Sequence, residues 1–118
     1  MPRLPSQVTS FSQIARFIRE HTGSGGEIIF TAHSRKEMTN DQLNAVDVRE
    51  ALKACTVVRR ELHGLDWRAT CQGRTRLGEW IEVVVKVIDP IIREAAEIPE
   101  VRVQARLLVI TVYRRKSR

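Results

Sequence analysis

The sequence predicts an α+β fold in which N-terminal helices pack on one face of a four- to five-stranded, mostly antiparallel sheet. Two patterns lead to this prediction. Apolar residues recur every three or four positions up to Cys55, as in helices, and alternate with polar residues from Thr56 onward, as in strands. The length of 118 residues suffices for one hydrophobic core, so we expect a single domain over residues 1–118.

Three helices are predicted in the first half of the chain. The first covers residues 10–22, because its apolar side chains share one face and the permissive segment GSGG follows it. A short strand, EIIFT, comes next. Thr31 can cap the second helix, AHSRKEM, and Asn44 can cap the third helix, AVDVREALKAC.

Four strands are predicted in the second half of the chain: TVVRREL, DWRATCQG, EWIEVVVKVI and RLLVITVYR. Short links that contain glycine join the first three, so these strands should form an antiparallel meander. The link before the last strand is long, and Pro90 and Pro99 flank its acidic, alanine-rich centre. We therefore expect residues 89–104 to form an excursion, such as a short helix or an insertion.

Alternation within the strands predicts that one face of the sheet is polar. The odd positions of DWRATCQGR and EWIEVVVKVI are apolar or small, so these side chains should face the helices. Strict alternation in RLLVITVYR puts Leu107 in the same row as Thr111 and Tyr113. The opposite face should present Arg68, Thr70, Gln72, Arg74, Glu82, Lys86, Thr111 and Tyr113.

The charge of the chain favours an anionic partner. The formal net charge is +6 and the pI is near 10.1. Residues 55–118 carry thirteen Lys and Arg against eight acidic residues, whereas residues 1–54 carry seven against six. Arginine, which dominates the basic half, binds phosphate through two parallel hydrogen bonds. Nucleic acid is therefore the favoured partner, although the same surplus could serve solubility alone.

Several other classes of protein are disfavoured. No run of about 20 apolar residues is present, so we expect no membrane partner. The start, MPRLPSQVTS, lacks a hydrophobic signal core, which favours a cytoplasmic protein. Cys55 and Cys71 form no paired-cysteine motif and are expected to be free, buried thiols. No spacing of histidines, cysteines or acids suggests a metal site, so neither a metal nor another cofactor is predicted.

RNA cleavage without a metal needs a base, an acid and cations that stabilise a pentacoordinate phosphorane. His33 is the best candidate for the acid or base, since it directly follows a strand and begins a helix, with Arg35 and Lys36 beside it. His21 is more typical of a helix end and His63 of a turn. Trp67 belongs to an apolar row and Trp80 could lie in the core or stack on bases.

The motifs FTAHSRKEM, DVREALK, DWRATCQGRT, IEVVVKVI and LLVITVYRR, in this order, resemble a widespread small bacterial domain of undefined function. Its members share a histidine with arginine or methionine in a short first helix and a closing I-T-V-Y-R strand. That family is grouped with the RelE-like and barnase/EndoU/colicin-type ribonuclease folds. The resemblance covers about residues 28–115, so we expect a toxin-like domain over residues 27–115.

The resemblance implies a toxin of a type II toxin–antitoxin system that cleaves RNA as a metal-independent endoribonuclease. Its partners would be RNA and a cognate antitoxin protein. The implied catalytic residues are His33, Arg68, Thr111 and Tyr113. His33 would act as acid or base, Arg68 would stabilise the phosphorane, and Thr111 or Tyr113 would position the scissile phosphate or assist proton transfer. The residues expected to hold flanking phosphates are Arg35, Lys36, Arg74, Arg76, Lys86 and Arg114.

Two alternatives from other classes remain open. A non-catalytic nucleic-acid-binding protein would use the same polar face without turnover and would show salt-dependent binding. A protein-interaction or regulatory domain would use that face to bind an acidic partner. RNA cleavage in EDTA distinguishes the first interpretation from both alternatives.

Overall fold

The computed structural model describes residues 10–63, 66–88 and 106–114, which form three helices and one five-stranded sheet. The helices are α1 (Phe11–Gly23), α2 (Ala32–Asn40) and α3 (Ala45–Lys53). The strands are β1 (Glu27–Phe30), β2 (Thr56–His63), β3 (Asp66–Arg74), β4 (Trp80–Ile88) and β5 (Arg106–Arg114). The α+β class is confirmed, and the predicted excursion at 89–104 lies outside the described residues.

Side chains cap the start of each helix. The Ser10 hydroxyl accepts a hydrogen bond from the Gln13 amide at 3.1 Å, and the Gln13 side chain accepts one from the Ser10 amide at 3.1 Å. Asn44 and Asp47 make the same reciprocal pair at 2.9 Å in α3. Such pairs satisfy amide groups that have no partner within a helix. The predicted caps Thr31 and Asn44 are confirmed, and of the two serines that could cap α1, Ser10 is the one that does.

The strand order of the sheet is β1-β5-β4-β3-β2. The predicted antiparallel meander of β2, β3 and β4 is confirmed, and β5 continues it on the far side of β4. β1, however, pairs with β5 in parallel. The sheet is therefore mixed, and the prediction of a mostly antiparallel sheet is wrong, because the pairing of β1 with a strand so distant in sequence leaves no local signal.

A β-bulge interrupts the alternation of β5. Thr111 pairs with Val84 and Val109 pairs with Val85, so Ile110 is an extra residue in β5. Val109 and Val112 are both fully buried on the helix side. The prediction that Leu107 shares a row with Thr111 and Tyr113 is therefore wrong: Leu107 faces the helices and the other two face away.

The hydrophobic core lies between the sheet and helices α1 and α3, as predicted. Apolar side chains from the helices and from the odd positions of β3 and β4 are fully buried in it. Gly73 allows β3 and α3 to lie very close to each other, because a side chain at this position would meet the backbone of Ala51 in α3. Trp67 packs against the core, and the Arg60 guanidinium lies 5.4 Å from its ring centroid.

None of the helices in the described residues is long and apolar enough to cross a membrane.

Cys55 and Cys71 are free and buried, as predicted, and the structure shows that the two thiols face each other in this core. The Cys71 thiol donates a hydrogen bond to Cys55, which lowers the pKa of Cys55 and raises the pKa of Cys71 well above its ordinary value. Burial opposes the first shift and adds to the second, while the charge of Arg19 helps to lower the pKa of Cys55. Cys55 is therefore the thiol that ionises first.

Helix α2 takes the place of a strand beside the second half of β5. β1 ends at Phe30, opposite Val109, and from there the edge of β5 would have unpaired amides. A Glu37 carboxylate oxygen accepts the Val112 amide at 3.1 Å, and an Asp41 oxygen accepts the Arg114 amide at 3.0 Å. Two acids one helical turn apart thus satisfy alternate amides of the strand.

Thr31 connects the start of α2 to the bulge. Its hydroxyl accepts a hydrogen bond from the Ser34 amide at 3.1 Å and donates one to the Ile110 carbonyl at 3.3 Å. We expect Thr31→Ala to lower the free energy of unfolding by about 1–2 kcal/mol, because both bonds are lost. Urea unfolding followed by circular dichroism measures this loss. Thr31→Ser retains the hydroxyl and should stay within about 0.5 kcal/mol of the wild type; equal stability of both variants would contradict the assignment.

Candidate functional site

The face of the sheet opposite α1 and α3, which we call the open face, collects most of the polar strand residues. The strand register puts the even positions of β3 and β4 on this face, together with the residues of β5 that pair with them. The β-bulge is what brings Thr111 and Tyr113 to this side. All eight residues expected there lie on it: Arg68, Thr70, Gln72, Arg74, Glu82, Lys86, Thr111 and Tyr113.

Positive charge predominates on the described part of the open face. The register adds two arginines that the sequence pattern did not single out: Arg59 pairs with Thr70 after a bulge in β2, and Arg106 pairs with Glu27. Among the side chains that the structure describes on this face, the cations are Arg59, Arg68, Arg74, Lys86 and Arg106, and the carboxylates are Glu27, Glu61 and Glu82. Such a surplus attracts anions.

Apolar side chains interrupt this surface. Ile29, Leu108 and Val84 lie half-buried on the open face across β1, β5 and β4. Val84 lies between Thr70 and Thr111, whereas Leu108 and Ile29 continue the row of Lys86 toward β1. Two groups of polar residues lie on either side of the Val84 row. The end that contains Gln72, Glu82 and Tyr113 is called the tyrosine end below, and the end that contains Arg68 and Lys86 is called the Arg68 end.

A carboxylate organises the tyrosine end. The Tyr113 hydroxyl donates to Glu82 Oε1 at 2.6 Å, and the Gln72 amide donates to Glu82 Oε2 at 3.4 Å. Glu82 thus fixes the position of the tyrosine. The sequence pattern placed Glu82 on this face but did not indicate that it would hold Tyr113.

Arg68 lies at the other end. It pairs with Lys86 on β4 and with Glu61 on β2, four positions along β3 from Gln72. That offset corresponds to about 13 Å along the strand. The Arg68 Nε atom is buried and has no hydrogen-bond partner. A buried donor without a partner is costly, so a rearrangement of the Arg68 side chain that let an anion accept this hydrogen bond would be favourable.

His33 lies beside the tyrosine end, in the first turn of α2. Its side chain is 68% exposed, and its Nε2 atom is 3.4 Å from Glu37 Oε1. The same Glu37 oxygen accepts the Val112 amide, which fixes the position of the carboxylate at β5. The structure therefore brings His33 near the part of β5 that carries Thr111 and Tyr113, whereas Arg68 lies two strands away on β3.

The predicted phosphate-binding residues of β3, β4 and their connecting turn remain available to solvent to different degrees. The Arg74 guanidinium lies over the Trp80 ring, 4.6 Å from its centroid. Arg76 is exposed in the turn between β3 and β4. Lys86 is half-buried next to Arg68. Arg74 and Lys86 therefore lie toward opposite ends of the open face, and Arg76 lies in the turn beyond Arg74.

The remaining predicted phosphate-binding residues lie around α2. Lys36 is exposed, and the Arg35 Nε atom donates to the Phe30 carbonyl at 3.4 Å. Arg114 pairs with the buried Ile81, so it lies on the helix side of the sheet. Its guanidinium forms an ion pair with Glu79 and donates to the Asp41 carbonyl at 2.5 Å. Arg114 is thus not part of the open face.

Within residues 10–63, 66–88 and 106–114, no three His, Cys, Asp or Glu side chains are grouped so that they could hold a metal ion. Comparisons of the chain with protein-family models, curated proteins and solved structures gave no match. The resemblance to toxin ribonucleases therefore remains a prediction, and the open face is the feature from which a function can be argued.

Proposed function

We propose that this protein binds RNA on its open face and cleaves it without a metal ion, as the toxin of a type II toxin–antitoxin system. The observation that carries the proposal is the surplus of cations on a sheet face that α1 and α3 leave uncovered, with one arginine Nε atom that lacks a partner. Arginine binds phosphate through two parallel hydrogen bonds. Hydroxyl and imidazole groups beside the same face provide the means for proton transfer.

In the proposed reaction, a base removes the proton of the RNA 2′-hydroxyl, whose oxygen attacks the adjacent phosphorus. The phosphorane then collapses as an acid protonates the departing 5′-oxygen. We assign His33 to one of these proton transfers, because it is exposed and lies next to the tyrosine end. Thr111 or Tyr113 would position the scissile phosphate. Arg35 and Lys36, in the same helix, would supply nearby positive charge.

Arg68 takes a different part in this proposal from the one implied by the resemblance. About 13 Å along the strand separates its row from that of Tyr113, which is too far for both side chains to hold one phosphate. We therefore assign Arg68, with Lys86, to a flanking phosphate of the same RNA strand. An acidic antitoxin would inhibit by covering these cations.

A specific observation also favours a second candidate, an RNA-binding protein without catalytic activity. Of the four predicted catalytic residues, only three are near one another, and the arginine expected to stabilise the phosphorane is at the other end of the face. Incubation of the purified protein with RNA in EDTA separates the two candidates. Cleavage products with cyclic phosphate ends support the enzyme, bound but intact RNA supports the second candidate, and absence of binding contradicts both.

We expect Arg68→Ala to weaken RNA binding about 5- to 10-fold, because a phosphate contact is lost. The slope of log K against log salt concentration should also decrease by about 0.7 for single-stranded RNA. Fluorescence anisotropy with a labelled oligonucleotide at several salt concentrations measures both quantities. Arg16→Ala is the matched control, since Arg16 is exposed on α1 and pairs with Glu20 at 2.9 Å. Equal losses in both variants would show that only net charge matters.

A further inference from the structure

Two aromatic rings are exposed near each other at the tyrosine end of the open face. Trp80 is 44% exposed and Tyr113 is 38% exposed. Tyr113 pairs with Glu82, and Trp80 is two positions before Glu82 on the same face of β4. The two aromatic residues are thus diagonal neighbours on adjacent strands, for which the separation is about 7–8 Å.

Polar neighbours hold each ring. The Arg74 guanidinium lies over one face of the Trp80 ring at 4.6 Å, and Glu82 holds the Tyr113 hydroxyl at 2.6 Å. Neither ring belongs to the hydrophobic core. A side chain that is already held in place loses little conformational entropy when a ligand stacks on it. The two rings therefore form a prepared surface for a flat, π-rich ligand.

We propose that Trp80 and Tyr113 stack on neighbouring unpaired bases, so that single-stranded RNA is the class of substrate bound by the open face. This inference rests on the proposed function for the nature of the ligand. In a duplex the faces of the bases are stacked on one another, whereas in a single strand they can turn outward onto aromatic side chains. The Arg74 guanidinium, next to Trp80, would contact the backbone beside the stacked base.

Stacking and phosphate contacts have different experimental signatures. Loss of an aromatic ring removes no charge, so it should lower affinity without changing the salt dependence, whereas loss of Arg68 should change both. Each stacked base contributes enough binding free energy for its loss to weaken binding about 10-fold or more. The two effects can therefore be assigned to separate residues in one set of titrations.

The test uses the full chain, an eight-nucleotide single-stranded RNA and a hairpin whose stem contains the same sequence. The chain has two tryptophans, and Trp67 packs against the core, so quenching of fluorescence on addition of RNA reports on Trp80. We expect the single strand to quench the fluorescence and to bind at least about 10-fold more tightly than the hairpin. Equal affinity for the hairpin would overturn the inference while leaving RNA binding intact.

Substitutions complete the test. Trp80→Leu keeps an apolar side chain without a ring and should weaken single-strand binding about 10-fold, whereas Trp80→Phe should stay within about 3-fold of the wild type. Tyr113→Phe keeps the ring but loses the hydrogen bond to Glu82, so it should bind more tightly than Tyr113→Leu, which loses the ring as well. Leu77→Ala, at an 86% exposed neighbouring position, is the matched control and should have no effect. Wild-type affinity of Trp80→Leu would overturn the stacking role; absence of RNA binding by the wild type would overturn the proposed function as well.

Discussion

A Gly73→Val variant is expected to be less stable than the wild type by about 3 kcal/mol. A β carbon at position 73 would lie 2.8 Å from the Ala51 carbonyl carbon and 2.9 Å from its Cα, and closer still to its oxygen. These are backbone atoms, so no side-chain rotation can relieve the overlap. Helix α3 would have to move away from β3 and open the core between them.

Urea unfolding followed by circular dichroism measures this loss, and Gly73→Ala should show a smaller loss in the same direction. Gly23→Ala is the matched control: an added β carbon at Gly23, the last residue of α1, would meet no atom within 4 Å. Alanine is also the better helix former, so this control should be as stable as the wild type or slightly more stable. A Gly73→Val variant with wild-type stability would show that α3 is not packed as closely as described.

Replacement of His33 by alanine is expected to slow RNA cleavage about 100-fold or more, since general acid or base catalysis by one side chain contributes at least that factor. Binding of RNA should change little, because His33 lies on α2 rather than among the cations of the open face. The loss should therefore appear in kcat and not in the dissociation constant. Single-turnover cleavage and anisotropy measure the two quantities separately.

His21→Ala tests whether any histidine would give this result. The His21 ring contacts the Glu27 carbonyl at 2.8 Å and stacks on Phe17, so its role is structural. We expect this variant to cleave RNA at the wild-type rate once its fold has been verified by circular dichroism. Equal cleavage rates for His33→Ala and the wild type would remove His33 from the mechanism without affecting the proposal that RNA binds to the open face.

Local chemistry made much of the fold predictable. Ser10, Thr31 and Asn44 each cap a helix because their side chains reach the backbone amides of the first turn, and this depends only on neighbouring residues. The alternation in β3 and β4 also indicated correctly which face packs on the helices. In both cases the signal and the contact that it predicts are close in sequence.

Features that depend on distant contacts were not predictable. Nothing in RLLVITVYR marks Ile110 as the extra residue of a bulge, since isoleucine suits a regular strand equally well. The parallel pairing of β1 with β5 likewise depends on where the chain returns to the sheet. The prediction that Thr111 and Tyr113 lie on the polar face is correct only because of this bulge, which the alternation did not contain.

For the candidate site, residue types were predictable and relative positions were not. The sequence indicated Arg68 and Tyr113 as members of one face, but the register separates them along the strands. Glu37 and Asp41 could have been recognised as a helical stripe of acids, yet their hydrogen bonds to β5 follow from the end of β1 at Phe30. The sequence left Trp80 open between a core position and base stacking, and its exposure in the structure places it at the surface.

The position of β5 in the sheet has a consequence for when the protein can act during its synthesis. β5 lies between β1 and β4, and Thr31 and Ile110, whose hydrogen bond helps to hold it, are 79 positions apart. A nascent chain that ends before this strand leaves β1 without a strand partner and lacks Thr111 and Tyr113. The tyrosine end therefore forms only after Arg106–Arg114 has been translated and has inserted into the sheet, so partial chains still on the ribosome lack the Thr111 and Tyr113 part of the proposed RNA-binding surface.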